Sequence, residues 1–225
     1  MAHAGVIADS LDDWVAAIND GIGIGGTSVA AGSATDVAQH GHADSSGSGS
    51  WDYGWGTSGD GSRFAGGFNN FANWSNGSWT HIEGAIGSTG MSPVGGSPLS
   101  DPMVWRRWQS NGANTGQTLT VRVAATLRNA ASDGVTLSIF GSGLVGGDLF
   151  LIPPSETGVE QVFEFDLIDS ANANLVIGLR PEGVGPNDIN NFFFDSTNVR
   201  VTILPSPGSA VLLAAGGIAM VNRRR

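Results

Sequence analysis

Trp51, Tyr53, Trp55, Trp74 and Trp79 stand in a stretch where Gly, Asn and Ser separate the rings, with Phe64, Phe68 and Phe71 among them. Flat aromatic faces stack on sugar rings while Asn and Asp bond the hydroxyls, so these five are the candidate glycan-binding residues. The competing use of the same rings is bulk for the core of a large sandwich. His81 and Glu83 alternate with Trp79, and with Asp101 they would compose an acid/base group. Polysaccharide lyases use Tyr, His, Lys or Arg to handle the α-proton, and Tyr53 is the only Tyr of the chain. No second carboxylate stands at a diagnosable spacing. A small polysaccharide lyase or glycoside hydrolase on the Trp51 to Glu83 face is therefore the alternative, no catalytic residue is assigned, and the leading expectation is a non-enzyme.

Other constellations are weaker. "GIGIGG" satisfies GxGxxG through Gly21, Gly23 and Gly26, yet it follows a helical pattern with no βαβ unit after it, so no nucleotide site is expected. His40, His42 and Asp44 offer three metal ligands inside a Gly/Ser/Ala-rich stretch that reads as solvated loop; no metal or other cofactor is expected. The absence of Cys removes disulfides, thiolate metal sites and a Cys nucleophile. All ten basic residues are Arg, and a net charge of −10 opposes nucleic-acid binding, which needs a basic face. Trp105 and Trp108 fall on opposite faces of one strand, so at most one is expected to be exposed. Arg106 and Arg107 split in the same way, and the inward one requires a carboxylate such as Asp195.

The elements that must hold these residues are strands. Only 13% of the 225 residues are charged and 35 are Gly, which suits short strands joined by tight turns. Leu119, Val121, Val123, Ala125 and Leu127 alternate with Thr120, Arg122, Thr126 and Arg128, the period of a half-buried strand. Val135, Leu137 and Ile139 repeat it, as do Phe163, Phe165 and Leu167, and Val199, Val201 and Ile203. Shorter runs lie at Trp51 to Trp55, Trp79 to Glu83, Val104 to Gln109, Leu149 to Ile152 and Leu175 to Leu179. Nine or so strands with turns between them predict an all-β fold, a jelly-roll-like antiparallel β-sandwich. Only one internal helix is expected, with Ser10 as its cap, Leu11, Trp14, Val15 and Ile18 on one face, and Gly21 as its stop. Residues 21–50 read as an irregular Gly/Ser-rich insertion.

The C-terminal end is built differently. Arg223, Arg224 and Arg225 hold three of the ten positive charges, leaving a body of net −13. Ser209 to Asn222 carries no charge, about 21 Å as a helix at ~1.5 Å per residue, against a hydrocarbon core of ~30 Å. A buried core helix is the competing reading of that length; the favoured expectation is that snorkelling Arg and a thinned bilayer cover the difference while the Arg cluster holds that end on the cytoplasmic side. Before it stand Pro205, Ser206, Pro207 and Gly208, an extended, protease-accessible hinge.

The order Pro-x-Pro-Gly, short apolar helix, Arg cluster resembles the PEP-CTERM protein-sorting tail, with Ser206 where that family usually has Glu. Leu204, Pro205 and Gly208 also fit a sortase tail, but Pro207 occupies the place of its scissile Thr. The PEP-CTERM resemblance implies an exported protein held in the cytoplasmic membrane by its C-terminal helix until an exosortase-type membrane protease cleaves it. "AHA" at Ala2 to Ala4 has the form of a signal-peptidase site, so residues 1–4 are expected to be a leader remnant. The division is then 1–4, a sandwich domain over 5–204, and a sorting tail over 205–225. "WDYGW" at Trp51 to Trp55, "VWRRWQS" at Val104 to Ser110, "SDGVTLSIF" at Ser132 to Phe140 and "NDINNFFFDSTNVRVTI", with the opening "ADSLDDW", resemble a jelly-roll module of exported bacterial proteins. The expectation is a cell-surface or extracellular-matrix protein, glycan-binding or structural, whose partners are the exosortase, the membrane and an extracellular polysaccharide.

Overall fold

The computed structural model describes residues 5–19, 41–57, 69–70, 73–75, 78–81, 84–93, 102–128, 134–181 and 197–206. Among them the strands are β1 (Ala8–Asp9), β2 (Gly41–Ala43), β3 (Gly49–Thr57), β4 (Asn69–Asn70), β5 (Asn73–Ser75), β6 (Ser78–His81), β7 (Gly84–Ile86) and β8 (Gly90–Pro93). They continue with β9 (Pro102–Ser110), β10 (Thr118–Leu127), β11 (Val135–Phe140), β12 (Leu144–Val145), β13 (Leu149–Ile152), β14 (Glu160–Ile168), β15 (Asn174–Pro181) and β16 (Thr197–Pro205). One helix, α1 (Asp12–Asn19), and a turn of 3-10 helix at Pro154–Glu156 complete the described elements.

The strands form two antiparallel sheets. Sheet A runs β12-β14-β10-β16-β8-β7-β6-β5, with β1 also on β16, and sheet B runs β13-β11-β15-β9-β3-β2, with β4 on β3. The expected all-β sandwich is therefore the fold, built from more and shorter strands than nine. Period two decides the packing: Leu119 to Leu127 and Val199 to Ile203 send alternate side chains inward from sheet A, where they are buried. Val104, Trp108, Val135, Leu137, Leu175, Ile177 and Leu179 of sheet B join them in one core. Each such aliphatic side chain contributes about 1.5–3 kcal/mol on burial.

Residues 41–50, expected to belong to the irregular insertion, instead make the β2–β3 hairpin. Their small polar residues are turn chemistry: Asp44 N–H donates to the Gly49 carbonyl at 3.0 Å, and Gly47 takes φ of 71°. The second Gly of that turn is fixed by packing, since a Cβ on Gly49 would lie 2.5 Å from the Gln109 carbonyl and 2.7 Å from the Trp108 ring. Residues 21–40 lie outside the described residues.

Helix α1 is capped one residue earlier than expected. Asp9 Oδ1 accepts from the backbone N–H of Leu11 at 3.0 Å and of Asp12 at 3.2 Å. Ser10 serves the sheet, its Oγ accepting from Val201 N–H at 2.9 Å. Trp14 points into the core, while Val15, placed on the same face by its spacing, is exposed.

Asp13, buried, ties three elements together. Its carboxylate accepts from Asp9 N–H, from Ser45 N–H and from Trp51 Nε1, each at 2.9 Å. Asp13→Ala strands these three donors and is expected to lower the unfolding free energy by about 3–5 kcal/mol. Asp12→Ala, at an exposed position of the same helix, should cost less than about 1 kcal/mol. Urea denaturation of the two variants beside the wild type measures both.

Candidate functional site

Two of the five candidate platform rings are part of the core. Trp51 and Tyr53 are fully buried on the inner face of β3, so neither is available to stack on a sugar. Trp51 gives its indole N–H to Asp13. Tyr53 meets Trp14 edge to face, centroids 4.9 Å apart at 79°. A sequence pattern of rings spaced by Gly and Asn fits a binding surface and a core equally, and here two of the five rings are core. Trp55, Trp74 and Trp79 lie on β3, β5 and β6, Trp74 opposite Trp79 in the register; their side chains lie outside the described residues. Trp105 and Trp108 are both buried, within the expectation that at most one is exposed. Trp108 donates to Asp44 Oδ2 at 2.9 Å.

The remaining candidates resolve in the same manner. Asp44, a candidate metal ligand, is committed to that indole, to Ser46 Oγ and to Ser48 N–H. His42 sits on β2 opposite Trp51. His40, Glu83, Asp101 and the GIGIGG glycines lie outside the described residues, as does the side chain of His81. Among the described residues no three acids or histidines gather as a metal-binding group. The inward Arg106 is held by carbonyls, Nη2 donating to Gly87 and Ser88 at 3.1 Å each and Nη1 to Val199 at 3.4 Å. Its expected partner Asp195 is outside the described residues. Burial lowers the pKa of Arg106, against the favourable fields of Tyr53 and Asp9. The outward Arg107 pairs with Asp52 through Nε at 2.9 Å and lies 5.7 Å from the Trp105 ring centroid.

Pro205, expected to begin the hinge, is the last residue of β16, opposite Leu119. Ser206 N–H still donates to the Thr118 carbonyl at 3.2 Å, so the sandwich continues two residues beyond the expected boundary. Pro207, Gly208, Arg223, Arg224, Arg225 and the apolar segment between them lie outside the described residues. No described helix is long and apolar enough to cross a membrane.

A concave site does exist, on the outer face of sheet A. A groove of about 480 Å³ is lined by Val6, Asp9, Asp12, Thr89, Arg122, Ala124, Thr126, Glu160, Asn198, Arg200 and Thr202. Register explains it. Three cross-strand rows meet there: Glu164, Arg122 and Thr202; Val162, Ala124 and Arg200; Glu160, Thr126 and Asn198. Ala124 is the smallest side chain at the centre of longer ones, so the face dips over it.

One wall of the groove is rigid. Arg200 Nε donates to both Asp9 oxygens at 3.1 and 3.0 Å, and its Nη2 donates to Asp12 at 3.1 Å. Thr202 Oγ1 adds a bond to Asp9 at 3.0 Å. The hydrogen bond that Arg200 donates to Asp9 is the main reason its pKa is raised. The opposite arm is loose, Arg122 Nε standing 3.9 Å from Glu164 with both side chains largely exposed. Arg122, Thr126, Arg200 and Thr202 were visible in the sequence as the polar face of two strands. The meeting of Arg200 and Thr202 with Asp9 and Asp12, nearly the whole chain away, was not.

No protein-family profile matches the sequence, and no curated protein matches it. Among solved structures, a family 29 carbohydrate-binding module from Piromyces equi aligns at 12% identity and TM-score 0.26, over 70% of this chain and 92% of its own. The N-terminal cellulose-binding domain of a Cellulomonas fimi beta-1,4-glucanase aligns at 14% and 0.26, over 68% and 86%. A cleaved adhesin domain of Lys-gingipain from Porphyromonas gingivalis aligns at 8% and 0.26, over 69% and 87%. Likeness at this level carries no functional argument, so function is argued from the chain's own residues.

Tyr53 gives a direct check on the buried aromatics. Desolvation raises its pKa well above the ordinary 10.0. Since the unfolded chain releases this proton near pH 10 and the folded chain keeps it, the unfolded state binds fewer protons above that pH. Stability is then unaffected by Tyr53 below about pH 9 and falls by about 1.4 kcal/mol per pH unit above 10. Because the chain has one Tyr, tyrosinate absorbance reads it alone. Its titration should coincide with alkaline unfolding, and Tyr53→Phe should flatten the alkaline slope.

Proposed function

We propose that this chain is an exported, non-catalytic β-sandwich protein of the cell surface or extracellular matrix whose molecular activity is glycan binding. The observation that carries the reading is the outer-face groove of sheet A. Carboxylates, guanidiniums, an amide and Thr hydroxyls converge over a shallow Ala floor, which is what a polyhydroxylated ligand requires. A binding role is favoured over the lyase or hydrolase reading because Trp51 and Tyr53 of the supposed catalytic face are buried. In addition, Asp9, Asp13 and Asp44 spend their oxygens on N–H donors, Arg200 and hydroxyls in place of acid/base work.

Export and sorting are part of the same proposal. The tail from Pro205 to Arg225 would hold the protein in the membrane with its C-terminus inside until an exosortase-type protease removes the tail. The sandwich would then remain outside, beside extracellular polysaccharide.

Two measurements test this. The full chain on a glycan array should retain at least one polysaccharide class, and no retention across neutral and acidic glycans would remove the binding reading. Intact-mass analysis of the surface form should show a loss that includes Arg223 to Arg225; a product still ending in Arg225 argues against sorting.

A further inference from the structure

The groove also constrains which glycan. We infer that it takes a neutral oligosaccharide, not an acidic one, with Arg122 as the arm that closes on it; this rests on the glycan-binding reading above. The charges decide the class. Asp9, Asp12 and Glu160 outnumber Arg122 and Arg200 within the lining. Arg200 is already neutralised, its Nε and Nη2 being engaged by Asp9 and Asp12. Glu164 adds another carboxylate beside Arg122, and the whole chain carries −10. A uronate or sulfated chain would enter a field of its own sign. Neutral hydroxyls meet no such barrier, and planar carboxylate, guanidinium and amide groups each bond adjacent hydroxyls in pairs.

Geometry sets the extent. Arg122 and Thr126 bracket Ala124 on one strand, about 13 Å from end to end at ~3.3 Å per residue. That run is longer than one sugar ring, so the occupant is a short oligosaccharide lying over Ala124. The Asp9–Arg200–Asp12 wall, fixed before binding, orients it without losing side-chain freedom. Arg122, with its 3.9 Å contact to Glu164 and an exposed guanidinium, has N–H donors to turn onto the ligand. Glu160, exposed, and Asn198, half-buried, face it from the other end of the groove. With no aromatic ring among the described lining residues, hydrogen bonds supply the grip.

Calorimetric titration of the full-length protein tests this, with cellohexaose, mannohexaose and xylohexaose as neutral probes and hexagalacturonate as the acidic one. At least one neutral probe should bind and hexagalacturonate should not. Ala124→Trp, which fills the floor, should abolish binding. Arg122→Gln and Glu160→Gln, at exposed positions, should each weaken it about tenfold, the worth of a hydrogen bond to a charged group, with circular dichroism unchanged. If Ala124→Trp fails to fold, the two exposed variants still decide. Tighter binding of hexagalacturonate, or neutral binding that all three variants leave intact, overturns this inference while leaving glycan binding standing. Retention of no probe, together with an empty glycan array, overturns both.

Discussion

An indole N–H buried in the core needs an acceptor, and two of the indoles find theirs in buried carboxylates. Trp51 and Trp108 face each other across the β3–β9 pairing. Asp13 receives one and Asp44 the other. An unpaired buried N–H costs about 1–3 kcal/mol, and a buried carboxylate is tolerable only when its oxygens are filled. Each group therefore makes the other affordable. Because Asp13 also accepts from Asp9 and Ser45, the helix, the first strand and the β2–β3 turn are fixed by the same carboxylate. Asp9 in turn grips Arg200. The wall of the surface groove is thus the outer end of a polar chain that begins in the core.

The two sheets are not equivalent. On sheet B the outward residues Trp105, Thr136, Ser138 and Val176 of the central strands are themselves buried, whereas Leu149, Leu151 and Gln109 are exposed. Sheet A turns Arg122, Glu164 and Arg200 to solvent from β10, β14 and β16. The same period of two therefore yields a covered strip on the central strands of one layer and an open polar face in the other.

This distinction also marks how far the sequence could be read. Alternation over Leu119 to Leu127 and Val199 to Ile203 identified the inner face residue by residue, because period two reports which side chains share a side. It does not report which side of a run of rings and small polar residues faces the core, which is why Trp51 and Tyr53 looked available. Asp9 and Ser10 exchanged roles because both suit a cap, and only the pairing with Val201 assigns Ser10 to the sheet. The Gly/Ser run ending at Ser50 read as insertion since hairpin turns and solvated loops use the same residues. The groove was hidden for a simpler reason: Asp9 and Arg200 are 191 positions apart, and no local pattern spans that distance.

One feature bears on mechanics. β16 ends at Pro205 with Ser206 still bonded to Thr118, and it lies inside its sheet, with β10 on one side and β1 and β8 on the other. A load entering through the residues after Ser206 is therefore taken up along this strand in shear, shared among its ladders, in place of peeling an edge strand bond by bond. Arg200 and Thr202 are on the same strand. A pull applied beyond Ser206 and a contact at the groove would be transmitted through one continuous backbone.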